Sequence, residues 1–403
     1  MDVAASPVSR PTPRPSVVRS AMGGFFLLGS LIALLGALLP VWSYYVHFDL
    51  ATTGSYFLAF NLGVFSAAMV ARRILGKLGM QRLLVLACFL AGGTMLALAA
   101  ILSPAGLIAP LILLGFSTGV LTTGVSWLMF DALTAPMAAA ILSLAGVFFG
   151  CGAAGFTLLI WATVHTLTAP GILVFTSLLP IGLGLLYLRQ RSLLQPALQA
   201  PPLRLSWQAT RSPAAVLLSL ALFFQSGNEW AVGGWLAIYW IHRLGVSSEG
   251  ALLGLALYWI ALTLGKLLSP RLPWQATPFR LLGASTGASL FGCLLLLSTH
   301  GVGGAVAGVL FLGAGLGAAY PLIIGMIGER FPYYHPGFFN GLFSFSLVGG
   351  MFVPWLIGQL ADFSVIEWAI RVPALGAIVV YLLLTVILIE ARVAKISKTA
   401  SSS

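Results

Sequence analysis

Hydrophobic positions in this chain do not alternate with polar ones; they run together in long stretches. Apolar runs fall at 22–46, 51–72, 82–103, 106–130, 137–164 and 169–188. After a polar stretch they resume at 213–241, 249–269, 279–299, 302–328, 337–362 and 367–389. Each is near or above the roughly 20 residues that carry a helix across bilayer hydrocarbon. Backbone groups find no water there, so a spanning segment is a helix or a strand of a closed barrel. Barrel strands alternate over about ten residues, and these runs do not. The pattern predicts an all-α integral membrane protein with twelve transmembrane helices.

The polar punctuation sets the organisation. The one long connection, Arg189 to Ser212 with Pro196, Pro201 and Pro202, divides the spans six and six. The expected layout is a disordered cytoplasmic tail at 1–21, a six-helix half at 22–188, a cytoplasmic linker at 189–212, a second six-helix half at 213–390 and a tail at 391–403. The tail is rich in Pro and Ser and lacks a cleavage site of small residues, so it does not read as a signal peptide. With the N-terminus inside, all 20 basic residues except Arg243 and Arg371 fall on the cytoplasmic side. This is the bias expected of cytoplasmic loops, and it predicts a multi-pass protein of the cell inner (plasma) membrane with both termini in the cytoplasm.

Composition agrees. The chain has 403 residues, 59% hydrophobic and 7% charged, with a mean hydropathy of +1.03. Soluble domains carry about 25% charged residues, so the outer surface here must face lipid. That excludes a soluble enzyme, a nucleic-acid binder and a disordered scaffold. The net charge of +11 is accounted for by basic cytoplasmic loops rather than by a nucleic-acid partner. Cys88, Cys151 and Cys293 fall inside apolar runs without metal spacing. The histidines His47, His165, His242, His300 and His335 are scattered at loops, so no metal site is expected.

The halves resemble each other. A basic loop, Arg72, Arg73, Lys77 and Arg82 around Gly79, follows the second span, and Lys266 and Arg271 follow the eighth. Glycines recur in spans 4 and 10 (Gly115, Gly119; Gly313, Gly315, Gly317) and in spans 5 and 11 (Gly150, Gly152, Gly155; Gly349, Gly350, Gly358). Small residues at such spacing let helix backbones approach closely. Repeated halves of this kind are the signature of secondary transporters, with the site between them.

On these residues the sequence resembles the major facilitator superfamily over nearly all of 22–390. The loop at 72–82 is similar to the signature G-x-L-A-D-R-x-G-R-R: Gly79 and Arg82 match, Lys77 stands for the first arginine, and Gly76 replaces the aspartate of the gating latch. The run Gly315–Pro321, then Glu329-Arg330-Phe331-Pro332, then Pro354, Gly358 and Asp362, resembles the fucose-permease branch. The acidic positions of that branch in spans 1 and 4 fall on Gly36 and Thr122, so its proton–sugar mechanism does not carry over residue by residue. Other members place a carboxylate in span 7 as G-x-E-x-x-x-G-G-W, which is here Gly227 to Trp235 with Glu229. The resemblance implies the major facilitator fold of two pseudo-symmetric halves, and a monomer.

Of the nine acidic residues, only Glu229 lies well inside a span. An ionised group there costs about 2.5–3.5 kcal/mol on insertion scales, which favours a neutral carboxyl that exchanges a proton when water reaches it. Gln225, Asn228, Glu229 and Tyr239 share roughly a 100° arc of one helix, with Trp235 on its edge. Thr118, Thr122 and Ser126 make a hydroxyl stripe on span 4, equally readable as hydroxyls bonded to their own backbone. Trp127, Trp235, Tyr258, Trp259 and Tyr320 lie near mid-depth and would suit the face of a sugar ring, while Asn61 and Asn340 are deep amides. The expected substrate set is Gln225, Asn228, Glu229, Trp235, Tyr239, Thr122, Ser126, Trp127, Tyr258, Tyr320 and Asn340. Lys266 and Arg371 sit near span ends, so no buried base is expected and multiply charged anions are disfavoured as cargo.

These residues predict a secondary transporter that moves a small neutral solute such as a sugar by alternating access, coupled to protons through Glu229. A proton-driven exporter of amphipathic compounds would use the same carboxylate and aromatics differently. No catalytic group, cofactor or phosphate cradle is expected, nor a nucleic-acid partner.

Overall fold

The structure, a computed structural model, describes residues 15–42, 49–101, 103–131, 135–190, 213–269, 278–330 and 336–400. The interhalf linker at 191–212 lies outside the described residues. Twelve α-helices occupy the described residues: α1 Pro15–Trp42, α2 Leu50–Leu78, α3 Met80–Ala100, α4 Ile108–Asp131, α5 Ala135–Thr163 and α6 Ala169–Arg189. The second set is α7 Pro213–Leu244, α8 Ser248–Leu268, α9 Pro278–Ser298, α10 Val302–Arg330, α11 Pro336–Phe363 and α12 Trp368–Ala400. Eleven are long and apolar enough to cross a membrane, and this is a multi-pass membrane protein. The twelfth, α7, falls short only because Gln225, Ser226, Asn228 and Glu229 interrupt its middle, and all four are buried.

Two ends differ from expectation. Helix α1 begins at Pro15, inside the stretch expected to be a disordered tail, and α12 runs to Ala400, past the end of its apolar run. Apolar length measures where hydrocarbon ends, whereas a helix continues while its backbone bonds continue. Pro is well suited to the first helical turn, where its missing N–H costs nothing.

Within each half consecutive helices are joined by short connections and so run antiparallel, and the contact of Ser248 at the start of α8 with Pro40 near the end of α1 sets the two halves in the same orientation. Both described chain ends therefore lie on one face, the terminus face, and the connection after each odd-numbered helix on the other, the loop face. Polar caps start helices on the loop face. The Asp49 carboxylate accepts from Thr52 N at 2.6 Å, Thr168 Oγ1 from Gly171 N at 3.2 Å and Ser247 Oγ from Gly250 N at 3.3 Å, each satisfying an orphan donor of a first turn. Between α2 and α3 the chain turns on Gly79, whose φ of 78° is one that side chains other than glycine rarely adopt.

The packing repeats by halves. In the first half α1 packs on α5, α2 on α4, α3 on α6 and α3 on α4; in the second, α7 packs on α11, α8 on α10, α9 on α12 and α9 on α10. Glycines set these approaches. A Cβ on Gly115 would lie 1.8 Å from Phe60 O, and one on Gly317 2.1 Å from Leu262 O. Likewise Gly152 faces Phe26 O at 1.9 Å and Gly349 faces Phe223 O at 2.0 Å. The halves meet through α1 on α7, α2 on α11 and α5 on α8, pairings that exchange under the same two-fold relation. Many of these contacts gather toward the loop face. There Gly54 meets Gly358, the Gln359 amide donates to Ala51 O at 3.3 Å, and the Ser248 hydroxyl donates to Pro40 O at 3.5 Å. His165 lies 3.4 Å from Glu249.

A charged pair on the seam between the halves

Helix α7 lies in the middle of the bundle and packs against α1, α8, α10, α11 and α12, so it is buried on every side rather than along one stripe. From its midpoint Glu229 Oε1 accepts from Lys266 Nζ of α8 at 2.5 Å, with the two side chains 8% and 16% exposed. This corrects two expectations. Glu229 is not an isolated carboxyl, and the protein does hold an inward-turned, half-buried base between its helices.

The reason is helix direction. Side chains lean toward the N-terminus of their own helix. Lys266 sits near the terminus-face end of α8 and leans inward, away from that face. Glu229, on the antiparallel α7, leans toward that face, and the two converge. An apolar-run reading places Lys266 at a span end, where a lysine would reach for water. Only the pairing of α7 with α8 reveals that it turns the other way.

Aromatic groups from both halves enclose the pair. Lys266 Nζ lies 5.3 Å from the centre of the Phe149 ring of α5 and 5.9 Å from that of Tyr320 of α10, within cation–π range. The Tyr258 hydroxyl donates to Glu229 O at 2.9 Å. Trp259 packs edge-on against Phe149, with ring centres 6.4 Å apart, and lies against Gly233, one turn along α7 from Glu229. Its indole N–H is buried without a partner. A Cβ on Gly150 of α5 would collide with Thr263 of α8. The pair thus sits on the seam between the halves, where α5 meets α8.

The other expected site residues disperse. Around α7, Gln225 donates to Leu316 O of α10 at 2.8 Å, the Trp235 indole to Pro354 O of α11 at 2.9 Å and the Tyr239 hydroxyl to Leu296 O of α9 at 2.7 Å. Asn228 faces Gly376 of α12, with both polar atoms of its amide buried and unpartnered. The arc is real, but in a helix buried all round it is shared among several neighbours. Thr118 and Thr122 donate to Leu114 O and Thr118 O, and Asn61 to Phe57 O, within their own helices. Ser126 and Trp127 are half-buried on α4. Arg73, Lys77 and Arg82 are exposed at the terminus face. The side chains of Arg72 and Asn340 lie outside the described residues. Among the described residues no cluster of His, Cys, Asp or Glu could hold a metal ion.

Two six-helix repeats around a seam define the class: this is the fold of the major facilitator superfamily. The sequence matches no protein-family model and no curated protein sequence. The likeness appears in solved structures. The nucleoside transporter NupG superposes with a TM-score of 0.76 at 11% identity, over 92% of this chain and 99% of that one. FucP, the fucose:proton symporter of E. coli and a major facilitator transporter, superposes in its outward conformation with a TM-score of 0.63 at 19% identity, over 92% and 98%. A D-xylose–proton symporter does so with a TM-score of 0.73 at 14% identity, over 91% and 97%. At these identities the likeness is one of fold.

Proposed function

We propose that this protein is a secondary transporter that moves a sugar-sized polar solute by rocking 15–190 against 213–400, with a proton as the coupling ion. The observation that carries this is the Glu229–Lys266 pair on the seam of two repeated halves. A charged pair inside a membrane core is costly to keep, and this one lies where an alternating-access site belongs. The cargo size is supported by the neighbours, which carry nucleosides, fucose and D-xylose.

The pair also supplies a coupling step. A proton delivered to Glu229 cancels its charge and frees Lys266, whose cation must then find another partner before the seam can close. The distribution of basic residues supports a cytoplasmic terminus face. With α1, α2, α8 and α11 packed together at the loop face, the conformation described is then the one closed to the outside.

Uptake into vesicles reconstituted with the purified protein, compared with protein-free vesicles, tests this reading. Accumulation of a sugar-sized solute under an inward proton gradient is the expected result. Binding without movement would identify a sensor instead and overturn it.

A further inference from the structure

Several N–H donors around the pair are left without an acceptor. Lys266 Nζ has three N–H donors, of which Glu229 Oε1 takes one. The buried Trp259 indole N–H, two turns along the same face of α8 and packed on the same Phe149 ring, has no partner. The Tyr258 hydroxyl is already committed to Glu229 O. A group that only accepts, and that carries negative charge, completes such a set. A carboxylate offers about four lone-pair sites and forms shorter, stronger bonds with charged donors than a neutral oxygen does.

Charge counting narrows the class. Glu229 and Lys266 together are neutral. A monoanion that takes Lys266 restores neutrality if one proton binds Glu229, whereas a dianion leaves an uncompensated charge in the seam. The remaining walls, Phe149, Trp259 and Tyr320, suit the C–H face of a compact ring.

The pair is also not required by the scaffold. Val64 follows Gly63 as Lys266 follows Gly265, and Ile32 lies as far past Phe26 as Glu229 lies past Phe223. The first half thus builds the same packing with two aliphatic residues in these places.

We infer that the transported solute is a small monocarboxylate with a sugar-sized body, whose carboxylate displaces Glu229 from Lys266 as one proton binds Glu229. This rests on the transporter reading above and names its cargo. The proton comes from solution, and no covalent bond to the solute forms or breaks. Besides the two partners, the ionisable groups facing the pair are Tyr258 of α8 and Tyr320 of α10. Residues 20–42 of α1, 144–163 of α5 and 344–361 of α11 contribute none apart from Cys151, and 372–389 of α12 contribute only Tyr381, which is exposed.

The test is calorimetric binding of D-glucuronate and benzoate to the purified protein, against D-glucose and benzyl alcohol as neutral counterparts and tetraphenylphosphonium as a cation. The acids are expected to bind at least tenfold tighter than their counterparts and to take up one proton each. Their affinity should weaken about tenfold per pH unit on the alkaline side. In Glu229→Gln the acids should still bind, with the pH slope flattened; in Lys266→Met the preference for acids should vanish. Should either single variant misfold, the double variant Glu229→Gln/Lys266→Met, neutral at both positions, must also lack the preference. Failure of both acids to bind, equal or tighter binding of a neutral counterpart or the cation, or a retained preference in the double variant overturns the inference. Vesicles separate the two claims. Uptake of glucose without glucuronate would sink the inference and spare transport, while glucuronate binding with proton uptake but no movement would sink transport and spare the ligand class.

Discussion

Gly63 packs α2 against α4 and Gly265 packs α8 against α10, each with a Cβ position close to 2 Å from a backbone carbonyl. Yet the next residue is Val64 in one half and Lys266 in the other. The N-terminal half holds no buried charge among its described residues: its interior is apolar, with hydroxyls such as Thr94, Thr118 and Thr157 and the Asn61 amide bonded to carbonyls of their own helices. The C-terminal half buries Gln225, Asn228 and Glu229 in the same framework and turns the half-buried Lys266 onto Glu229. The comparison separates two jobs: glycine contacts and apolar burial build both halves, whereas the charged groups are additions that the scaffold does not need.

The sharpest way to break this contrast is Lys266→Met. It leaves a buried carboxylate without its cation and should cost about 3–5 kcal/mol, read as a lowered thermal midpoint in detergent. Adding Glu229→Gln should recover most of that stability while leaving transport dead. By comparison, Ile32→Val at the matching place in the first half should cost about 0.5–1.5 kcal/mol and leave proton-driven uptake unchanged. If Lys266→Met proves as mild as Ile32→Val, the pair is not the buried element described.

Next in size, Gly115→Ala and Gly317→Ala should destabilise the halves alike, by about 1–3 kcal/mol, because both force a Cβ into a facing backbone carbonyl. Unequal losses measured by thermal unfolding would show that the halves are not packed by the same rule.

A smaller effect is expected from Trp259→Phe. It keeps a ring against Phe149 and removes a donor that has no partner, so thermal stability should change by less than about 1 kcal/mol while carboxylate binding weakens severalfold, as the loss of a roughly 1 kcal/mol hydrogen bond requires. Equal binding in the variant would show that the indole N–H does not face the solute.

The smallest concerns the loop face. Hydrogen bonds from Thr52, side chain and backbone, hold the Asp49 carboxyl below its usual range. That cap stabilises α2 above the ordinary carboxylate range and is lost as pH falls through the lowered value. Asp49→Ala should cost about 0.5–1 kcal/mol near neutral pH and nothing in strong acid, as thermal unfolding at the two pH values would reveal.

Much of this architecture is legible in the amino-acid sequence, because lipid leaves a chain few choices. Apolar runs near 20 residues long must be helices, and their even number, the linker and the basic loops divide them into halves. Gly152 and Gly349, and Gly115 and Gly317, signal close helix contacts before any fold is known, and Glu229 stands out as a carboxylate in an apolar run. The partner of that carboxylate is harder to see. Lys266 occupies a span end in the sequence, and only the antiparallel pairing of α7 and α8 aims it inward. The arc of Gln225, Asn228, Trp235 and Tyr239 is divided among several neighbours for a related reason. Helical periodicity gives the face of a residue, but around a central helix each face belongs to a different neighbour.

The most direct test of the coupling claim is accumulation of D-glucuronate by reconstituted vesicles under an imposed pH gradient, wild type against Glu229→Gln. The wild type should concentrate the acid above its external level. The variant should exchange it downhill without concentrating it, because an unloaded Lys266 with no carboxylate partner cannot return across the seam. A variant that still concentrates the acid would contradict the account, since the proton would then be carried by a group other than Glu229.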